Sequence, residues 1–130
     1  MRYVTPRKAA VGMGASHTGT EHHWWMTVSS AALALLTPSF LMVMGTALQL
    51  PDRAEILLYF TRPYPAIVVA IFMTLGMMHF IRGSRIMIDD YLEHTARKVA
   101  VIGFTAFGWV VIAMTLFALA RIQLAFAQAV

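Results

Sequence analysis

Residues 63–81 read PYPAIVVAIFMTLGMMHFI, a stretch that contains no Lys, Arg, Asp or Glu. A helix needs about 20 apolar residues to cross the hydrocarbon core of a bilayer, so this stretch has the composition and length of a membrane span. Two more uncharged stretches occupy residues 24–50 and 99–120. We therefore predict an all-α integral membrane protein with three transmembrane helices, at about residues 24–50, 64–89 and 97–121.

The composition supports a membrane environment and limits the chemistry of the chain. Of its 130 residues, 59% are hydrophobic and 12% are charged, which is too apolar for a soluble domain of this size. Three spans and their loops leave no segment for an independent soluble active site, so chemistry on a polar substrate is expected in a partner. The chain has no cysteine, which excludes disulfides and iron–sulfur ligation by its own residues.

Two segments outside the spans have distinct compositions. Residues 1–23 are polar and rich in small residues, and we interpret them as an N-terminal arm ahead of a transmembrane domain at residues 24–130. Residues 51–63 mix charged side chains with an apolar run, ILLYF, at residues 56–60. This mixture favours a short interfacial helix lying on the membrane surface between the first and second spans.

The basic residues predict the orientation of the chain in the membrane. The arm and the loop between the second and third spans carry seven Lys and Arg residues, and the opposite side carries three. The positive-inside rule then places the N-terminus in the cytoplasm and Val130 on the periplasmic side. Because the basic residues lie at the ends of spans and form no single patch, nucleic-acid binding is not expected.

His79 is the residue of the three uncharged stretches whose charge can change near neutral pH. Ionisable groups inside a membrane are costly, so a functional role is the first hypothesis. At 3.6 residues per turn, Gly76, Gly83 and Asp90 lie on roughly the same helix face as His79. The glycines allow close approach of a flat macrocycle such as haem or of another helix backbone, and the spacing alone leaves both readings open. The same holds for His79, as a haem ligand or as a neutral hydrogen-bonding group between helices.

A haem with two imidazole ligands requires a second histidine at the depth of His79. The other histidines of the chain lie in the arm, at the membrane interface or in a loop (His17, His22, His23 and His94). If His79 ligates haem iron, the second ligand is therefore expected from a different subunit, with the haem at the interface.

Asp90 and Tyr91 end the second predicted helix on the cytoplasmic side. A phenol can donate a hydrogen bond to a quinone carbonyl, and a carboxylate can accept protons or hold an arginine. The alternative is an interfacial tyrosine beside a solvated acid. The dipeptide alone does not distinguish these readings.

The combination of these residues resembles a known family. The pattern His79-x-x-x-Gly83-x-x-x-x-x-x-Asp90-Tyr91 on the second of three helices resembles the signature of the succinate dehydrogenase hydrophobic membrane-anchor subunit, the D-type small subunit of respiratory complex II. The segment GTEHHWW at residues 19–25, followed by SSA at residues 29–31, also resembles bacterial members. The resemblance covers most of the chain.

The resemblance implies a role for each of these residues. His79 would be an axial ligand of haem b, with Gly83 beside the cofactor, while Tyr91 and Asp90 would bind ubiquinone, the substrate of the membrane site. Many members carry an arginine early in the first helix, where this chain has Met26, Thr27 and Val28. Arg82 could reach the same surface.

The resemblance also implies partners in a bacterial inner membrane. A cytochrome b556-type anchor subunit would share haem b, an iron–sulfur subunit would dock from the cytoplasm, and a flavoprotein would oxidise succinate. FAD and the iron–sulfur clusters would belong to those partners, so the chain would be an enzyme subunit in electron transport without catalysis of its own. The alternatives are a non-catalytic structural subunit of another respiratory complex, or a small transporter with His79 and Asp90 as a proton relay.

Overall fold

The computed structural model describes residues 4–7, 9 and 19–128. Within residues 19–128 the chain forms four α-helices: α1 at Gly19–Leu48, α2 at Arg53–Thr61, α3 at Pro63–Tyr91 and α4 at His94–Ala127. Most of the predicted arm, including Arg2, Lys8 and His17, lies outside the described residues, as does Val130.

Three of the helices are long and apolar enough to cross a membrane: Thr20–Leu48, Pro63–Tyr91 and His94–Ala127. The predicted all-α class with three spans is therefore confirmed. α1 begins five residues before Trp24, so the last residues of the predicted arm are helical. The difference arises because hydropathy marks the edge of the hydrocarbon, whereas a helix can continue into the interfacial layer.

The predicted helix between the first and second spans is confirmed as α2. It begins after Asp52, whose carboxylate accepts a hydrogen bond from the backbone N–H of Glu55 at 2.8 Å and so caps the first turn. Its end is tied to α4, because the Gln123 side chain donates a hydrogen bond to the Phe60 carbonyl at 2.9 Å. α2 therefore lies at one end of the bundle.

α3 packs along both α1 and α4 and is the helix that positions the candidate site. Against α1, Phe72 stacks on Phe40 with ring centroids 4.0 Å apart. Against α4, Phe80 packs on Phe104 at 5.7 Å and meets Phe107 edge-on at 6.2 Å. Both pairings join early residues of one helix to late residues of the other, so the three spans are antiparallel in chain order.

Gly108 of α4 is buried where this helix packs against α3. A Cβ atom at this position would lie 2.6 Å from Cδ1 and Cγ1 of Ile81 and 3.7 Å from the backbone oxygen of Met77. Glycine here lets the two helices meet without displacing the Ile81 side chain. His79 lies between Met77 and Ile81 in the sequence of α3. At 3.6 residues per turn it is therefore on the opposite face of the helix from this contact.

The two ends of the bundle carry different sets of basic residues. The end formed by the start of α1, the end of α3 and the start of α4, here called the basic end, carries Arg82, Arg85, Arg97 and Lys98. The opposite end, with α2, carries Arg53, Arg62 and Arg121. The helices between these ends expose many large apolar side chains, such as Leu35 at 81% and Ile102 at 68%. This surface is suited to lipid or to another membrane subunit.

Candidate functional site

His79 is half-buried in α3 and is held by a residue of α1. Its Nδ1 atom lies 2.8 Å from the hydroxyl oxygen of Ser29. Ser29 is 1% exposed, so the hydrogen bond lies in the interior of the contact between the two helices. The contact links residues 50 positions apart and fixes the edge of the imidazole ring that carries Nδ1.

The other ring nitrogen of His79 is in a different situation. Nε2 makes no hydrogen bond with any residue of the described ranges. In that same part of the chain no enclosed side-chain nitrogen or oxygen lacks a hydrogen-bond partner. Nε2 therefore reaches the accessible surface of the bundle, where a group from outside the chain can meet it.

The two glycines near His79 both lie towards α1. A Cβ atom on Gly76 would lie 3.8 Å from Cδ2 of Leu33, and one on Gly83 would lie 3.5 Å from the terminal methyl of Met26. Both are ordinary van der Waals distances, so the packing of α3 against α1 does not require glycine at either position. Gly83 lies against a flexible methionine that can yield to a cofactor, and its role beside haem stays a prediction.

The described residues provide one histidine at this depth. His22 and His23 lie in the first turn of α1, and His94 begins α4 at the basic end. No group of three or more His, Asp or Glu side chains able to hold a metal ion occurs in residues 4–7, 9 and 19–128. His79 is therefore the one histidine that the described residues place at this depth.

At the basic end, Arg82 reaches the start of α1. Its guanidinium lies over the Trp25 ring, 4.4 Å from the ring centroid, as a cation–π contact. Trp25 immediately precedes Met26, so Arg82 lies beside the start of α1. It also lines a cleft of about 390 Å³ with Arg85, Asp90 and four further residues, namely Glu21, His22, Ile86 and Asp89.

Asp90 and Tyr91 end α3 as expected, but their surroundings differ. Asp90 is exposed on the wall of the cleft with two arginines. Tyr91 is 81% exposed, and its hydroxyl makes no hydrogen bond to the described part of the chain. Asp89 pairs with Arg97 at 2.6 Å across the turn into α4. Asp90 therefore lies in a charged cleft, whereas the Tyr91 side chain is exposed at the surface of the basic end.

Sequence reasoning missed two of these residues as parts of the site. Ser29 belongs to a segment that resembles the family, but the sequence does not predict its contact with His79. An uncharged helix does not show which of its faces packs against a neighbouring helix. Trp25 was also missed as the partner of Arg82. The register that pairs them is not readable from the sequence, because α2 and its two turns separate α1 from α3.

Comparisons with known proteins identify the family of the chain. The family described as "Succinate dehydrogenase/Fumarate reductase transmembrane subunit" matches residues 1–120. A protein of Paracoccus denitrificans named "Succinate dehydrogenase hydrophobic membrane anchor subunit" is 54% identical over 124 residues, which cover 95% of each chain. No solved structure gives a significant match.

These findings confirm the resemblance and its family-level consequences. The matched region includes all of α1, α2 and α3, and therefore the predicted site residues. The interpretation of the chain as a multi-pass membrane subunit of an enzyme complex is confirmed with it. The chain belongs to the family of succinate dehydrogenase and fumarate reductase transmembrane subunits.

Proposed function

We propose that this chain is the D-type anchor subunit of a succinate:ubiquinone oxidoreductase, that His79 ligates haem b, and that Asp90 and Tyr91 contribute to the ubiquinone-reduction site. The observation that carries the proposal is the state of His79. One ring nitrogen is held by Ser29, and the other is unpartnered at the surface of an apolar bundle. A polar nitrogen facing hydrocarbon without a partner is costly, so a ligand from outside the chain accounts for it.

The residues fit one half of a haem site with two imidazole ligands. His79 supplies Nε2, Ser29 orients the ring, and Gly83 with the flexible Met26 leaves room beside it. Iron with two protein axial ligands has no open position, so a haem bound here would supply one-electron transfer. The second histidine would come from the cytochrome b556-type anchor subunit.

The quinone part of the proposal rests on the basic end. Tyr91 offers an unpartnered phenol, and Asp90 lies in a cleft with Arg82 and Arg85. Such groups can bind a carbonyl and handle protons during two-electron reduction. The iron–sulfur subunit would cover this end, with the flavoprotein beyond it. The basic end would then face the cytoplasm of a bacterial inner membrane, with the C-terminus periplasmic.

Replacing His79 with Gln tests the haem assignment. Gln keeps a hydrogen-bonding group that can reach Ser29 but is a poor ligand for haem iron, so it separates ligation from helix packing. We expect the low-spin b-type spectrum of the purified complex to be lost or altered while all subunits still assemble. His23→Gln is the matched control, since His23 is exposed in the first turn of α1. An unchanged haem spectrum in His79→Gln would show that His79 does not ligate the iron. It would favour a role in helix packing and a purely structural subunit.

Replacing Tyr91 with Phe tests the quinone assignment. The change removes only the hydroxyl, and loss of one hydrogen bond to a buried acceptor costs about 1–3 kcal/mol. Quinone reduction should slow accordingly, while succinate oxidation by an artificial dye that draws electrons from the soluble subunits stays normal. Tyr64→Phe, at the other end of α3, is the control. Equal quinone kinetics in the two variants would remove Tyr91 from the site.

A further inference from the structure

The hydroxyl of Ser29 has more neighbours than one proton can serve. Its oxygen lies 2.8 Å from the Trp25 carbonyl oxygen, 3.1 Å from the Met26 carbonyl oxygen and 2.8 Å from Nδ1 of His79. A serine hydroxyl donates one hydrogen bond and accepts others, and a backbone carbonyl only accepts. The proton of Ser29 must therefore be assigned to one of these contacts.

Two assignments are possible, and they set opposite tautomers of His79. If the hydroxyl donates to Nδ1, its contacts with the two carbonyl oxygens contain no proton and are repulsive. If it donates to a carbonyl of its own helix, as serine commonly does, Nδ1 carries a proton and donates it to the serine oxygen. The second assignment places a proton in each of the two 2.8 Å contacts, with only the 3.1 Å approach to the Met26 carbonyl left as a secondary one, and it leaves the lone pair of the ring on Nε2.

The second assignment makes Ser29 more than a packing residue. We propose that Ser29 is a positioning residue that accepts a hydrogen bond from the Nδ1–H of His79 and so fixes the tautomer and ring plane in which Nε2 can ligate iron. This inference rests on the proposed role of His79 as a haem ligand. Histidines that bind metals usually donate their other ring N–H in this way, which raises the basicity of the ligand.

The backbone contacts of Ser29 explain why this residue can hold the ring firmly. Its oxygen is anchored to the preceding turn of α1 and the residue is 1% exposed, so water does not compete for Nδ1. Ser30, the next residue, makes the same kind of bond to the Met26 carbonyl at 2.6 Å but is exposed and makes no hydrogen bond to His79. Ser30 is therefore a matched control for Ser29, because it lies in the same turn and makes no hydrogen bond to His79.

The test compares Ser29→Ala with Ser30→Ala in the purified complex. A more basic axial imidazole favours ferric iron, so loss of the bond in Ser29→Ala should raise the haem midpoint potential. A tenfold change in the ferric-to-ferrous equilibrium corresponds to about 59 mV, which is the shift we expect. The electron paramagnetic resonance signal of the ferric haem should also change, because the ring plane is no longer fixed. Ser30→Ala should match the wild type in both measurements.

Further variants distinguish the positioning role of Ser29 from the haem-ligand role of His79 on which it rests. Ser29→Thr keeps a hydroxyl and should restore the wild-type potential, whereas a merely structural role would make Thr, which adds a methyl to a buried site, no better than Ala. If Ser29→Ala does not assemble, Ser29→Cys provides a weak acceptor of similar size and should show the same upward shift. Equal potentials and spectra in Ser29→Ala and Ser30→Ala, with the haem still dependent on His79, would overturn the inference alone. A spectrum that is unaffected by His79→Gln would overturn the ligand assignment and this inference with it.

Discussion

Gly108→Ala tests whether the contact between α3 and α4 sets the position of His79. The added Cβ atom would lie 2.6 Å from two carbons of Ile81, about 1 Å closer than the optimal separation of about 3.5–4.0 Å. Ile81 is β-branched and stiff at χ1 within a helix, so it cannot turn away freely. Either Ile81 leaves its rotamer or α3 moves away from α4, and overpacking of this kind costs about 1–3 kcal/mol.

Gly103→Ala is the control that isolates this clash. Gly103 lies in the same helix, and a Cβ atom there would meet nothing within 4 Å. Both substitutions gain about 1 kcal/mol of helix propensity, so the difference between them measures the clash. The same free energy in the barrier to inactivation would correspond to a rate ratio of about 5–150, at tenfold for each 1.4 kcal/mol.

The assay is the rate of haem loss when the purified complex is heated in detergent, since such complexes inactivate irreversibly. We expect Gly108→Ala to lose haem faster than Gly103→Ala by at least about fivefold, and Ile81→Ala in the same chain to relieve the defect. Equal rates in the two glycine variants would refute the argument that α4 holds this part of α3 in place.

Two other predictions concern the face of α3 and the orientation of the chain. Gly83→Ala adds a methyl at an ordinary 3.5 Å from Met26, so assembly should be normal, and an altered haem spectrum is expected only if Gly83 adjoins the cofactor; an unchanged spectrum would make it a packing residue. A reporter fused to the C-terminal end should behave as periplasmic, and cytoplasmic behaviour would contradict the orientation inferred from the basic end.

Much of the fold follows from the sequence because lipid imposes a simple requirement. A span must satisfy its backbone hydrogen bonds internally, so the three uncharged stretches had to be helices. The segment at residues 51–63 was also predictable, since Asp52 caps a short run of charged and apolar residues. The end of α3 at Tyr91 agrees with the prediction that Asp90 and Tyr91 end the second helix.

The contacts between helices could not be predicted in the same way. α1 is apolar on every side, so its sequence does not show that Ser29 faces His79 or that Leu35 faces outward. The register between α1 and α3 depends on how the turn and α2 connect them. The contact of Ser29 with His79 and that of Arg82 with Trp25 can be identified only when this register is known.

The central claim is that this chain supplies one ligand of a haem b shared with another membrane subunit. The most direct test is the molar ratio of haem b to this chain in the complex purified through an affinity tag on the chain. We expect about one haem b per copy, consistent with the single histidine that the described spans place at this depth and with a second ligand from a partner. A stable complex that contains this chain with its partner subunits and no haem b would contradict the account.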